Sequence, residues 1–300
     1  MLYHLVAFIT IVVWGSTFVF TKMLLQAGLS AAQIFTLRFL IAYVLLMSSQ
    51  LLTRRISRSS LFCKNWRDEL LMVALGVTGG SLYFLTENAA MNYTTTTNTS
   101  LIVCLCPLFA SLLISICYKS ERLHGLQIVG TLLAAIGVTI VVLNGRFVLH
   151  LSPLGDALAF SACLCWALYS LLLIPASKRY DTLFITRKVF AYGLLSMLPY
   201  YAVYPDLPPM EALLRWDSIL QLLFLGCIAS TICFLLWNWV IRRLGAIVTT
   251  NYVYFNPVVT ILCAWVVLNE HITVWFLLGT VLILAGMYLA DRKQDASHKA

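Results

Sequence analysis

The sequence predicts an all-α membrane protein with ten transmembrane helices arranged as two inverted five-helix repeats. Three observations lead to this fold class: few charged residues, ten apolar runs of about 20 residues, and an internal match between the two halves. Of the 300 residues, 61% are hydrophobic and 11% are charged, and the mean hydropathy is +0.90. Soluble domains carry roughly 25% charged residues, so we expect most of the surface to face a lipid bilayer.

Ten apolar runs are each long enough to be a transmembrane helix, which needs about 20 apolar residues. They are too long and too uniformly apolar to be the alternating strands of a membrane β-barrel. No small-residue cleavage site follows the first run, so we interpret it as a retained span and not as a signal peptide. The short joints leave no room for a soluble domain. The predicted spans cover residues 4–24, 33–52, 70–90, 98–118, 124–143, 154–174, 185–204, 218–240, 247–268 and 274–290.

Basic residues divide the predicted joints into two classes. The net charge is +8, and almost all Lys and Arg residues outside the spans lie in segments that share one side of the membrane with the termini. Arg146 and Arg215 are the exceptions. By the positive-inside rule, this separation predicts a multi-pass protein of the plasma (inner) membrane with both termini in the cytoplasm. The positive charge is thereby explained without a nucleic-acid partner.

The two halves of the chain match each other in sequence, which indicates an internal repeat. Residues 84–107 align with residues 234–257, including a matched proline. Each repeat holds five predicted spans, and because five is odd the second repeat must enter the membrane from the opposite side. Inverted repeats are typical of secondary transporters, in which they support alternating access. We expect the first repeat at 1–147 and the second, inverted repeat at 148–300.

Short motifs in a fixed order carry a resemblance to a known family. Besides Arg38 and Pro107, they are "WGSTFVFTK" in span one, "SERLHGLQIVGTLLAAIGV" before and in span five, "GDALAFSACLCWALYSLL" in span six and "YFNPVVTILCAWVVLNEHITVWFLLGTVLILAGMYL" at the end. With these motifs the chain resembles the drug/metabolite transporter superfamily, EamA type, over nearly its whole length. The resemblance implies a carrier of small organic metabolites and does not name the metabolite.

Two charged side chains lie within predicted spans, where a charge costs about 2.5–3.5 kcal/mol and normally faces a partner or a water-filled cavity. We expect Glu87 to line a central cavity and to take up a proton or contact an amine; alternatively it is an interfacial acid that reaches water. Arg38 lies at a similar depth. It is expected to pair with Glu87 or to bind a substrate carboxylate, and the alternative is that it extends to the outer headgroups.

Aromatic and polar side chains within the spans are the other candidates for a substrate pocket, since small-molecule sites combine apolar walls with a few polar groups. Tyr83 shares a helix face with Glu87 by its spacing of four, and Tyr252 is expected to share a face with Asn256 for the same reason. Asparagines that bond neighbouring helices and aromatic residues that anchor the interface are the alternatives. The candidate set is Trp14, Thr17, Tyr83, Asn98, Trp166, Tyr169, Asn238, Tyr252 and Asn256.

Prolines and glycines recur at matched places in the two halves. Pro107 and Pro257 fall in the middle of spans four and nine, where proline removes a helix hydrogen bond and is expected to kink the helix. Such kinks serve either a rocking motion or packing alone. Glycines of spans five and ten allow close helix approach, so these spans are expected to pack at the periphery, and a homodimer contact there is left open.

The absence of several motifs narrows the function. The cysteine pairs Cys104/Cys106 and Cys163/Cys165 point to different sides of their helices, so neither predicts a metal site. No cofactor is expected, although proton coupling through Glu87 is a hypothesis. The chain contains no nucleotide-binding loop and no metalloprotease or serine-hydrolase motif, so it is not predicted to be an enzyme.

The leading functional hypothesis is a secondary transporter, an exporter of small organic metabolites such as amino acids, that works by alternating access through a central cavity between the repeats. An uncoupled facilitator or a channel-like permease of the same solutes is the alternative, and an intramembrane enzyme is a remote one. Its partners would be a small-molecule substrate and the lipid bilayer.

Overall fold

The protein is built from helices. The computed structural model describes residues 2–52, 61–94, 99, 102–118, 125–143, 152–205, 207–268 and 273–291, and every regular element in this part of the chain is helical. The α-helices are α1 (Leu2–Gln26), α2 (Ala31–Leu52), α3 (Trp66–Gly76), α4 (Leu82–Tyr93), α5 (Cys106–Cys117), α6 (Gly125–Leu143), α7 (Pro153–Arg179), α8 (Thr182–Leu195), α9 (Leu198–Val203), α10 (Met210–Leu213), α11 (Trp216–Leu223), α12 (Cys233–Leu244), α13 (Ala246–Asn251), α14 (Asn256–Leu268) and α15 (Val274–Asp291).

Most predicted spans correspond to long apolar helical segments. Six segments are long and apolar enough to cross a membrane: Leu2–Gln26, Ala31–Gln50, Trp66–Tyr93, Pro153–Arg179, Trp216–Leu244 and Ala246–Cys263. Three shorter apolar helices correspond to predicted spans four, five and ten. The chain is thus an all-α, multi-pass membrane protein. The number of ten spans and their inverted arrangement stay predictions.

The seventh predicted span, 185–204, is not one continuous helix. It consists of α8 and α9, which are separated by a turn at Ser196 and Met197. Pro199 lies in the first turn of α9. Proline lacks a backbone N–H, so it fits the first turn of a helix, where that group has no intrahelical acceptor.

Two spanning segments are interrupted by π-helix at matching places. Val77–Ser81 joins α3 to α4, and Phe224–Ile232 joins α11 to α12. Within the first interruption Gly80 has non-helical dihedral angles, with φ −119° and ψ −105°. Such π-helical insertions kink a helix and are frequent at functional sites. Both interruptions lie just before the helices that carry the matched sequences of the two halves.

The two matched prolines lie within predicted spans four and nine, each in the first turn of an α-helix that follows a change of backbone geometry. Pro107 is in the first turn of α5 and follows a turn in which Leu105 N–H donates to the Ile102 carbonyl oxygen at 3.0 Å. Pro257 is the second residue of α14 and follows the 3-10 helix Tyr252–Phe255. In the first turn of a helix, proline causes no loss of a helix hydrogen bond.

Contacts between the two halves follow a matched pattern. α1 packs against α12 and α14, and α7 packs against α4 and α5. Likewise α2 packs against the π-helix Phe224–Ile232, while α8 packs against the π-helix Val77–Ser81. Each contact therefore has a counterpart in which the halves are exchanged. An aromatic core lies where they meet: the ring centroid of Phe39 is 4.9 Å from that of Phe190 and 6.0 Å from that of Phe234.

α6 and α15 form a closely packed antiparallel pair through glycines. A Cβ on Gly130 would lie 2.5 Å from the Gly286 carbonyl oxygen, and one on Gly137 would lie 2.7 Å from that of Gly279. Because the order of contacts reverses between the two helices, they run in opposite directions. These glycine faces are occupied within the chain and are not free for the dimer contact considered from the sequence. A homodimer through another surface stays a prediction.

A charged network connects the start of α3 to α7 and α8. Glu69 accepts hydrogen bonds from Lys188 Nζ and the Tyr192 hydroxyl. Asp68 accepts one from Arg179. The Lys188 and Glu69 side chains are only 6% and 22% exposed, so this is a largely buried ion pair. Around the joint between α1 and α2, the packing is instead apolar.

We expect Gly130→Ala to destabilise the protein, because its methyl group would overlap backbone atoms of α15, and overpacking costs about 1–3 kcal/mol. Gly125→Ala is the matched control on the same helix, where a Cβ would have no neighbour within 4 Å. The melting temperature of the purified protein in detergent should fall for Gly130→Ala and stay the same or rise slightly for Gly125→Ala. Equal melting temperatures for the two variants would contradict the antiparallel contact.

Candidate functional site

A cavity between the two halves of the chain collects most of the predicted site residues. The space in and around it that protein atoms do not occupy is about 450 Å³, and this volume includes space open to solvent. Helices α1, α2, α4, α5, α7, α12 and α14 supply its wall. The lining residues are Trp14, Thr17, Phe18, Arg38, Tyr83, Phe84, Glu87, Val103, Cys106, Trp166, Phe234, Val253 and Asn256. The predicted site residues among them are Glu87, Arg38, Trp14, Thr17, Tyr83, Trp166 and Asn256.

Glu87 lies in the cavity wall and not at a water-exposed interface. The residue is 7% exposed. Its Oε1 accepts a hydrogen bond of 2.7 Å from the Tyr83 hydroxyl, one helical turn earlier on α4. This contact follows from the spacing of four residues, which puts both side chains on one face of the helix. The carboxyl group is therefore held toward the cavity by its own helix.

Arg38 is equally buried, at 2% exposed. Its Nε donates to Ser230 Oγ at 3.0 Å, and its guanidinium carbon lies 4.3 Å from the centre of the Phe84 ring. Among the ion pairs of the described residues, none joins Arg38 to Glu87 within 4.0 Å. The predicted direct pair is thus wrong in this conformation. The Arg38 guanidinium is directed toward the π-helix of the second half, and the Glu87 carboxyl group accepts a hydrogen bond from Tyr83 instead.

Aromatic rings form one wall of the cavity. The Trp14 ring centroid lies 5.5 Å from that of Trp166 with the planes at 89°, and 5.6 Å from that of Phe234. Trp166 is in turn 5.1 Å from Tyr83. Edge-to-face contacts of this kind contribute about 0.5–1.5 kcal/mol each beyond the buried area. Trp14 is further held by a hydrogen bond from its Nε1 to the Ala229 carbonyl oxygen at 2.9 Å.

The remaining polar lining residues differ in their partners. Thr17 Oγ1 donates to the Trp14 carbonyl oxygen at 2.7 Å, within α1. Trp166 Nε1 and Asn256 Oδ1 are buried, and within the described part of the chain neither has a hydrogen-bond partner. Asn256 opens α14, directly after the 3-10 helix, and this interruption brings it to the cavity.

Tyr169 and Asn238 do not line the cavity. The Tyr169 hydroxyl donates to Asn238 Oδ1 at 2.8 Å, and Asn238 Nδ2 donates to Thr186 Oγ1 at 2.9 Å. This chain of bonds joins α7, α12 and α8. The Tyr169 ring lies on Gly79, where a Cβ would approach within 2.2 Å of it. Both residues are therefore packing and hydrogen-bonding residues beside the site.

Tyr252 also lies elsewhere. Its hydroxyl is 2.6 Å from His4 Nδ1 at the start of α1. The expectation that Tyr252 and Asn256 share a helix face is wrong, because the chain between them is a 3-10 helix that ends at Phe255 and not a continuous α-helix. The remaining candidate, Asn98, lies outside the described residues.

Several lining residues were not predicted as site residues. Phe84 and Phe234 align with each other in the internal repeat, and this match could have identified both as candidates. Ser230, the partner of Arg38, and the apolar Phe18, Val103, Cys106 and Val253 carry no pattern that distinguishes them from core residues. Within the described residues, no group of three or more His, Cys, Asp or Glu side chains could hold a metal ion. The cavity thus offers a buried arginine, a buried glutamate, aromatic walls and, in Trp166 and Asn256, two neutral polar groups without a protein partner among the described residues.

The comparisons with known proteins agree with this architecture. The EamA-like transporter family model matches residues 1–143 and 153–290. An uncharacterized transporter of Archaeoglobus fulgidus is 27% identical over 296 residues, which cover 97% of this chain and 98% of that protein. A probable terminal-alkyne amino-acid exporter of Streptantibioticus cattleyicolor is 26% identical over 226 residues, covering 75% and 74%. A solved crystal structure superposes over 96% of this chain and 95% of its own with a TM-score of 0.75 at 20% identity, which shows the fold alone.

We expect Asn238→Leu to lower the melting temperature, because the buried Tyr169 and Thr186 hydroxyls would both lose a partner. An unsatisfied buried polar group costs about 1–3 kcal/mol. The matched control is Asn88→Leu at the equivalent position of the first half, where the Asn88 amide makes one long hydrogen bond of 3.4 Å. Its melting temperature should fall by less. A loss at Asn88 as large as that at Asn238 would show that the bonds of Asn238 are not what stabilises this region.

Proposed function

Since the chain belongs to the EamA-like transporter family, we propose that it exports small zwitterionic metabolites such as amino acids by alternating access through the cavity between its halves. The family of this chain and the transporters that it is similar to identify a membrane transporter and not an enzyme. The similarity to a probable amino-acid exporter supports the substrate class.

One observation carries the proposal: the cavity holds a buried arginine and a buried glutamate that do not pair directly. Arg38 and Glu87 are each less than a tenth exposed and line the same space. A buried charge is normally compensated by a partner, and a zwitterion would supply a carboxylate for Arg38 and an ammonium group for Glu87. Arginine binds carboxylates through charge-assisted hydrogen bonds. The aromatic wall would then receive an apolar side chain.

Three features support the inverted repeat, with repeats at 1–147 and 148–300, on which alternating access depends. The π-helical interruptions occur at matched places, the contacts between the halves exchange in pairs, and α6 runs antiparallel to its counterpart α15. In such a molecule the two conformations open to either side are related by exchanging the roles of the halves. Both termini then lie on the cytoplasmic side of the plasma (inner) membrane.

The closing element on the cytoplasmic side is, in this proposal, the charged network at the start of α3. Glu69 and Asp68 belong to the first half, and Lys188 and Arg179 belong to the second. Opening of the cavity toward this side would separate the two halves there and break both ion pairs. The apolar packing at the α1–α2 joint would play the same part on the outer side.

We expect Lys188→Met to expose the cavity to the cytoplasmic side. Removing one partner of a buried pair costs more than about 1.4 kcal/mol, which corresponds to about a tenfold change in an equilibrium. The reporter is Cys106, which lines the cavity, in a variant whose other cysteines are replaced by Ser. Its modification by a charged thiol reagent in inside-out vesicles should be about tenfold faster. The matched control is Lys178→Met at an exposed lysine of α7, and equal rates for the two variants would refute the gate.

Proton coupling through Glu87 is the mechanism we propose for driving export. In liposomes loaded with the candidate amino acid, a pH gradient should accelerate flux through the wild-type protein. Glu87→Gln should abolish this acceleration, because the amide cannot exchange a proton. Exchange of labelled against unlabelled substrate should continue, with a higher half-saturating concentration because the ammonium group loses its charged partner. Flux that ignores the pH gradient and is unchanged in Glu87→Gln would leave an uncoupled facilitator. Flux that neither saturates nor shows counterflow would indicate a channel-like permease.

A further inference from the structure

Two residues that line the cavity each carry a buried polar atom without a protein partner among the described residues, and both belong to the second half of the chain. The atoms are Trp166 Nε1 on α7 and Asn256 Oδ1 on α14. Trp166 is 5% exposed and Asn256 is 6% exposed. An unsatisfied buried polar group is costly, so a pair of them around one cavity indicates groups that are satisfied by something that enters it.

The other polar lining residues do not share this property. Trp14, Thr17, Arg38, Glu87 and Tyr83 each have a hydrogen-bond partner in the protein. The two exceptions also differ in kind, because an indole N–H can only donate and the amide oxygen can only accept. Together they form a complementary set for a ligand that carries one acceptor and one donor.

Burial without a partner does not by itself mark a site, and Trp237 shows this. Its Nε1 is likewise buried and unpartnered among the described residues, and its ring lies 4.9 Å from that of Trp14. Trp237 is not among the residues that line the cavity, whereas Trp166 is, and this difference makes Trp237 an internal control.

We propose that Trp166 and Asn256 determine which ligands bind, with the Trp166 indole N–H donating to a carboxylate oxygen of the ligand and the Asn256 amide oxygen accepting from its ammonium group. This inference rests on the proposed function for the choice of a zwitterion. The first half then contributes the two charges, through α2 and α4, and the second half contributes the two neutral hydrogen-bonding groups, through α7 and α14. A bound zwitterion would connect the halves across the cavity.

Recognition by these groups predicts a defined selectivity. A decarboxylated amine lacks the acceptor for Trp166, and a deaminated acid, in which hydrogen replaces the amino group, lacks the donor for Asn256. Both analogues should bind the wild-type protein more weakly than the parent amino acid. A site that binds a ligand through its own buried polar groups rejects analogues that leave those groups unpaired.

The test measures dissociation constants calorimetrically on the purified full-length protein. The standard amino acids are screened individually, and the tightest binder is compared with its decarboxylated amine and its deaminated acid. Trp166→Phe keeps an aromatic wall and removes the N–H. It should weaken binding of the amino acid by about tenfold, the loss expected for a hydrogen bond to a charged group, and leave the amine unaffected. Trp237→Phe should leave both ligands unaffected.

Asn256→Leu gives the second arm. It should weaken binding of the amino acid and of the amine by a similar factor, and leave the deaminated acid unaffected. Melting temperatures identify any variant that fails to fold, and the other variant then decides. Equal affinities in wild type, Trp166→Phe and Asn256→Leu would overturn this inference and leave the proposed function standing. Failure of the wild-type protein to bind any of the amino acids would overturn the proposed substrate class, and this inference with it.

Discussion

The burial of two opposite charges among membrane-spanning helices is the constraint on which the rest of this structure depends. Arg38 and Glu87 are both nearly inaccessible, and a charge in such surroundings persists only where polar or aromatic groups surround it. Arg38 finds Ser230 in the second half and the Phe84 ring in the first, while Glu87 finds Tyr83. The cavity therefore exists only when both halves are assembled, because the environment of Arg38 comes from both.

The interruptions of the helices make this assembly feasible. Ser230 lies in a π-helical segment, and Asn256 lies where α14 begins. Both residues therefore reach the site at an interruption of regular α-helix. The two halves are nevertheless not equivalent. Arg38 and Glu87 of the cavity come from α2 and α4 of the first half, and the charged network at the start of α3 contrasts with the apolar packing at the α1–α2 joint. Such inequality allows one conformation to be favoured over its counterpart.

Sequence reasoning was most accurate where one helix carries the whole signal. Tyr83 and Glu87 are four residues apart on α4, and their hydrogen bond follows from that spacing alone. It was wrong where the helix was interrupted, as between Tyr252 and Asn256, and where two helices had to meet, as for Arg38 and Glu87. Tyr169 and Asn238 have the composition of site residues, yet they bond each other, because α7 and α12 bring them together beside the cavity and not in it.

The amino-acid sequence by itself determined the membrane environment, the helical class and the transporter family, because hydrophobicity, charge distribution and ordered motifs are properties of the chain that need no partner. It also singled out most of the polar residues of the cavity, since polar groups are rare and costly in spanning helices. The tertiary structure alone decided which of them line the cavity, which bond each other and which are left without a partner. These outcomes depend on where π-helices, 3-10 turns and glycine contacts redirect the helices, and contacts between distant segments are not encoded in any local pattern.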